Sequence, residues 1–312
     1  NQLFYKLKKG KYVMVLESIV KLDKKSTKPF DLFYVGLLFA TVGVLLSLWT
    51  FKTNPSIILV FFTTMIGIPL IYKLLRSEEV NELNYKSEGD ILRFHEKAVL
   101  MYFFLFLGIT LAFFMWYYIL PDNLSSQMFT VQNQTIHDLN KNTFNGKMVQ
   151  IFGGFNLNTG NFLKQNYDTF LKIVSNNIRV LIFSLIFSLI FGVGALFILV
   201  WNGSVLAAAF SSFFNKYYMI YMVKDYSTIA ATFMSFYQST LRYLIHGLPE
   251  LFSYLLAGFA GGILSAAIVN GDYKTEKFDK ILYDFIVLVV IAIAILLISG
   301  LLEVYVTPNF FK

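Results

Sequence analysis

The chain has 312 residues, of which 56% are hydrophobic, 18% aromatic and 14% charged, at a mean hydropathy of +0.61. A soluble domain carries about 25% charged residues, so this chain has too few polar side chains to clothe a water-facing surface. Its apolar residues fall in blocks long enough to cross a ~30 Å hydrocarbon core. That excludes a soluble enzyme and a disordered chain, and with no cysteine it excludes a disulfide scaffold or a thiolate site. The net charge of +7 sits largely in short loops between apolar blocks, which favours anionic headgroups over nucleic acid as the partner.

Residues 1–30 hold eight lysines against Glu17 and Asp23. Tyr12, Val13, Leu16, Ile19 and Val20 recur there at helical spacing, which predicts a basic amphipathic helix on the inner leaflet. A solvated helix against another subunit is the other reading. No apolar run of signal-peptide type occurs in this stretch; because Asn1 is not Met, the true N-terminus is left open. The first span is expected at 31–50 and the second at 56–75, after a turn ending at Pro55. Together they make a helical hairpin, followed by a charged segment to residue 97. A third span is expected at 98–120, ending at Pro121.

A polar segment rich in Asn, Gln, Thr and Gly covers 121–176. Its last part, with Phe162, Leu163, Tyr167, Phe170, Leu171 and Val174 at helical period, is expected to lie on the membrane and feed the next span. Span four is placed at 178–201, closed by Trp201-Asn202-Gly203. Span five is placed at 203–223, and a polar connection at 224–237. The apolar stretch 238–269 is interrupted by His246-Gly247-Leu248-Pro249-Glu250. A polar loop follows at 270–280, and the last span at 281–304.

Basic residues set the orientation. With the N-terminus in the cytoplasm, segments 1–30, 73–97 and 270–280 carry 8, 5 and 3 Lys plus Arg. Seven spans then put segment 121–176 and the C-terminus outside a plasma membrane. Two N-x-S/T sequons, at Asn123 and Asn133, agree with that side.

The interruption at 246–250 is the sharpest feature. Pro249 has no N–H and crowds the carbonyl four residues back, so a fresh helix is expected to start there, with Glu250 in its first turn. The piece before it would be re-entrant or interfacial, and such irregular backbone is tolerated only against protein or a wet cavity. His246 and Glu250 could relay protons or bind a cation. Alternatively they are structural, capping the two half helices. One His and one Glu do not make a zinc site, and the other histidines, His95 and His137, fall on opposite sides. No metal and no cofactor is expected.

Arg179 and Glu303 sit near outer ends of spans, where they could snorkel or pair with one another; Arg242 is a second candidate partner for Glu303. Asp284, one turn inside the last span, is expected at the inner interface. Ala257, Gly258, Gly261, Gly262 and Ser265 form a small-residue stripe suited to helix contact in lipid. Gly192, Gly194 and Ala195 in span four and Ala207 to Ala209 in span five suggest the same. No Walker loop, nucleophile elbow or HExxH helix is present, so an enzyme is not expected.

Four segments occur in order: N-N-I-R-V at 176–180, W-N-G-S-V at 201–205, H-G-L-P-E-L-F-S-Y-L-L-A-G-F-A-G-G-I-L-S-A-A-I at 246–268, and L-E-V-Y-V-T-P at 302–308. In these the chain resembles the stage II sporulation protein M family of integral membrane proteins. The H-G-x-P-E order is closer to its archaeal-type branch. The resemblance covers about 98–308 and marks Asn177, Asn202, Gly203, His246, Gly247, Glu250, Glu303 and Pro308; the N-terminal hairpin lies outside it. It implies a scaffold acting with partner proteins in a membrane complex.

The expected fold is all-α, a polytopic transmembrane helix bundle of about seven spans, with one broken helix at the H-G-L-P-E motif. Three parts are expected: the basic segment 1–30, the hairpin and charged loop 31–97, and a sporulation-protein-M-like domain 98–312. The expected function is a non-enzymatic scaffold or membrane-remodelling component, with the bilayer and unidentified proteins, a second copy among them, as partners. The alternative is a proton- or ion-coupled transporter using His246 and Glu250.

Overall fold

The computed structural model describes residues 28–51, 54–82, 91–144, 159–191, 194–275 and 278–307. The basic segment expected at 1–30 lies almost wholly outside them. The described residues are helical throughout: α1 Asp31–Thr50, α2 Pro55–Glu82, α3 Ile91–Ile119, α4 Asp122–Met128, α5 Thr130–Phe144, α6 Thr159–Phe191, α7 Ala195–Val223, α8 Thr228–Asn270 and α9 Phe278–Leu301, which runs into a π-helical turn at Leu302–Val306. Seven helices are long and apolar enough to cross a membrane.

Glycine and hydroxyl side chains set how closely these helices approach. A Cβ on Gly36 of α1 would strike the carbonyl of Leu105 in α3, and one on Gly108 would strike the carbonyl of Phe33. The two backbones therefore cross in contact, as small residues permit where lipid supplies no hydrophobic drive for association. The same logic joins α6 to α8. A Cβ on Gly261 would lie 2.8 Å from the Leu185 carbonyl. Ser184 and Ser188 of α6 donate to the carbonyls of Tyr254 and Gly258. The second half of α8 is consequently the centre of the bundle: Leu251, Leu255, Ala257, Phe259 and Ala260 are all buried. Packed around α8 are α2, α3, α6, α7 and α9. Outward-facing Trp49, Phe61, Ile190, Val290 and Ile298 are exposed, as lipid-contacting side chains must be in such a bundle.

Three sequence expectations are corrected. The H-G-L-P-E motif does not break the chain into two helices: α8 runs unbroken from Thr228 to Asn270 with Pro249 inside it. The turn between the fourth and fifth spans is not at Trp201-Asn202-Gly203 but before Ala195. Asn202 is held in mid-helix, its amide donating to the carbonyl of Ile198 at 2.8 Å. Gly194, expected in a span, stands at the turn, where a Cβ would strike the Phe187 carbonyl. Finally, no long polar connection occupies 224–237. Asp225 takes a left-handed φ of 58°, Ser227 accepts from the Ala230 amide, and α8 starts at once.

The polar segment after α3 is tied to the bundle rather than merely solvated. Gln132 of α5 is fully buried. It accepts from Ser56 Oγ at 2.6 Å and donates to Ser204 Oγ at 3.1 Å, joining α2, α5 and α7. Phe129 plugs the same end against Phe113 and Tyr117.

Replacing Gly108 with Val should force α1 off α3 and cost about 1–3 kcal/mol, the usual penalty for overpacking. The measurement is the thermal midpoint of detergent-solubilised protein by size-exclusion; an unchanged midpoint would contradict the α1–α3 contact.

Candidate functional site

The site gathers where α8 passes the end of α9. Pro249 cannot donate to the carbonyl of Ile245 and its ring crowds that turn. The neighbouring carbonyl, that of His246, accepts from Ser299 Oγ at 2.7 Å. A hydroxyl from the adjacent helix thus bonds backbone in the turn the proline disturbs, one residue on from the carbonyl that Pro249 leaves without its helical donor.

His246 Nδ1 lies 3.1 Å from Thr307 Oγ1. The Thr307 backbone N–H bonds the carbonyl of Leu302, five residues back, as the wider π turn requires, and the Thr307 hydroxyl donates to the same carbonyl at 3.1 Å. Thr307 Oγ1 thus bridges the imidazole and the π turn.

Glu250 is one turn further on. Its Oε1 accepts from Tyr254 OH at 2.7 Å. Asn177 of α6, only 5% exposed, faces the same carboxyl, but its Nδ2 completes no hydrogen bond. Glu303, in the π turn, is close enough to Glu250 and Arg242 to interact with both as charges. The Arg242 guanidinium stacks 4.1 Å over the Phe213 ring of α7. Four elements (α6, α7, α8 and the end of α9) therefore converge on one polar cluster in an otherwise apolar bundle.

The sequence-predicted residues divide. Asn177, His246, Pro249, Glu250 and Glu303 come together. Arg179 is exposed, and Arg242 rather than Arg179 is the cation that acts on Glu303. Asn202 and Gly203 stand apart: Gly203 packs on α3, where a Cβ would lie 2.8 Å from Thr110 Oγ1. Gly247 is no close-approach glycine, since a Cβ there would meet only Tyr243 Cβ, at 4.0 Å. Gly258 and Gly261 serve the α6–α8 contact instead, and Gly262 is buried beside them. Asp284 is not at a solvated interface but buried, in a small gap with Ala260, Ile263, Ile281, Phe285 and Leu288.

Tyr254, Ser299 and Thr307 were not legible as site residues. Tyr254 had a usable signal, its i+4 spacing from Glu250; Ser299 had none. Among the described residues no group of three or more His, Asp or Glu converges as a metal set would. An open groove of about 530 Å³ lies elsewhere, on α4 and α5, lined by Ser126, Thr130, Asn133, Gln134 and His137.

The family model for stage II sporulation protein M matches residues 99–308, a range that holds every member of this cluster. The chain belongs to the stage II sporulation protein M family. No curated protein and no solved structure matches it. The matched range starts inside α3, so α1 and α2 lie outside it and pack against the matched part through α3 and α7.

Tyr254→Phe and Ser299→Ala should each lower stability by about 1 kcal/mol, the net worth of a hydrogen bond. Gly247→Ala should not, because space is open there. Thermal midpoints in detergent read all three; a loss for Gly247→Ala equal to the others would contradict the local geometry.

Proposed function

We propose that this multi-pass membrane protein is a non-enzymatic scaffold or membrane-remodelling component. It sits in a plasma membrane with its N-terminus in the cytoplasm and its C-terminus outside. One observation carries the reading: the polar groups at the site close on one another. Thr307 meets His246, Ser299 meets the His246 carbonyl, and Tyr254 meets Glu250. Such a constellation fixes the end of α9 against α8 and holds the bundle's outer end in one shape. A rigid platform suits a component that organises partner proteins, and the family supports this role. The orientation rests on the basic residues of segments 1–30, 73–97 and 270–280.

A second reading has its own support. Glu250 and Glu303 share one buried cluster with Arg242, and Asn177 Nδ2 completes no hydrogen bond there. Ionisable groups inside a membrane bundle often mark an ion or proton path. Purified protein in liposomes decides between the two. The scaffold reading expects proton and cation flux at the level of empty vesicles. Flux well above that level, abolished by Glu250→Gln and His246→Ala with the fold intact, would overturn it.

A further inference from the structure

The α7–α8 hairpin reaches beyond the ends of α3 and α9, and its surface there is apolar. At 1.5 Å per residue α8 is about 64 Å long, whereas α9, at 24 residues, already suffices to cross a ~30 Å core. The π turn at the end of α9 packs at His246, near the middle of α8. Some twenty residues of α8, from Thr228 to about Ile245 and Gly247, thus run on past the end of α9, paired with the second half of α7. Ala231, Ser235 and Ser239 form the face of α8 that is fully buried. The opposite face is a stripe of exposed Ile229 (84%), Phe233 (68%), Phe236, Tyr237 and Leu244. At the tip of α7, Met219, Met222 and Val223 (84%) are exposed as well.

We propose that this hairpin is immersed in the interfacial lipid of the same bilayer that the bundle spans. Three observations choose that occupant. First, the tip carries Tyr217, Tyr218, Tyr221 and Tyr226 with Lys216 and Lys224, against Asp225 as its one carboxylate. Tyrosine and snorkelling lysine are the residues that settle at headgroup depth, and the excess positive charge suits anionic lipid. Second, between Ile229 and Leu244 the exposed side chains of α8 are Phe233, Phe236 and Tyr237, with Thr232 as the one exposed polar residue. A finger crossing water to reach an opposing membrane would need a polar shaft. Third, a contact with a second copy would be served by one flat face. Exposed apolar residues here lie on both helices and around the turn that joins them. The hairpin therefore enlarges the footprint of the protein in one leaflet, which goes beyond the scaffold reading and does not depend on it.

The native chain has no cysteine, so single-cysteine variants report without background. Phe233→Cys, Ile229→Cys and Val223→Cys are made in the full chain and kept if their size-exclusion profile matches the parent. Each is labelled with an environment-sensitive fluorophore in vesicles of phosphatidylcholine and phosphatidylglycerol. Val290→Cys, on the outer face of α9, supplies the lipid reference, and Thr130→Cys, exposed on α5, the water reference. The expected result is blue-shifted emission at all three positions, with loss of fluorescence to doxyl-lipid and none to aqueous iodide, as at Val290. Quenching by iodide as at Thr130 overturns the proposal. So does quenching only by doxyl-lipid in separately added vesicles, which assigns the hairpin to an opposing membrane. Shielding from both quenchers with disulfide-linked dimers at Phe233→Cys also overturns it, in favour of a second copy.

Discussion

Backbone polarity in lipid is the constraint on which this structure depends. A helix that loses one internal bond in water recovers it from solvent, but in hydrocarbon it must recover it from protein. Pro249 imposes such a loss near the middle of α8. Ser299 of α9 donates to the next carbonyl, that of His246, which ties α9 to α8 in the same turn. The π turn and Thr307 then lie at the level of His246. Removing polarity from this cluster would not merely vacate a site, because the register between α8 and α9 is fixed there.

Close backbone contact is the second element of the architecture, and it works with the first. Ser184 and Ser188 reach carbonyls of α8 because glycines at 258 and 261 let α6 come near. A larger residue at either glycine would separate the helices and strand both hydroxyls. The same economy joins α1 to α3 through Gly36 and Gly108. It explains how a pair of helices outside the family range can pack closely on the family domain, with Trp116 to Thr41 and Ser56 to Gln132 as side-chain hydrogen bonds across the seam. Small side chains and dispersion carry the rest of the contact where the surrounding solvent is as apolar as the interface.

The first three spans were legible in the sequence because polar residues and prolines flank each apolar block. The later boundaries were not, for a physical reason in each case. Asn202-Gly203 reads as a turn when its amide is assumed to need solvent; in the structure the Ile198 carbonyl takes it. The true turn, with Gly194 at its end, was indistinguishable by composition from a helix-packing stripe. Pro249 reads as a helix start because sequence shows the lost N–H and not the packing of α9 against that turn, where Ser299 bonds the His246 carbonyl. For the site, His246, Glu250, Asn177 and Glu303 were all identified from spacing or family resemblance. Their convergence depends on α6 and α9 meeting α8, and no local pattern encodes that.

The position of the cluster bears on how such a protein could transmit force or shape. Below it, α8 is enclosed by other helices and has no freedom to move independently. Above it, α8 has left α9 behind and is paired with α7, whose Phe213 ring lies under Arg242. The cluster is thus the boundary between a clamped half and a paired half of one continuous helix. A continuous helix clamped over one half turns any displacement of the paired half into torque at the boundary. The residues best placed to resist it are those that cross between elements: Ser299, Thr307, Arg242 and Glu303. Ionisable side chains at that boundary are then explained by mechanics as well as by transport. Charged and hydrogen-bonded contacts are directional, and direction is what apolar packing against lipid cannot supply.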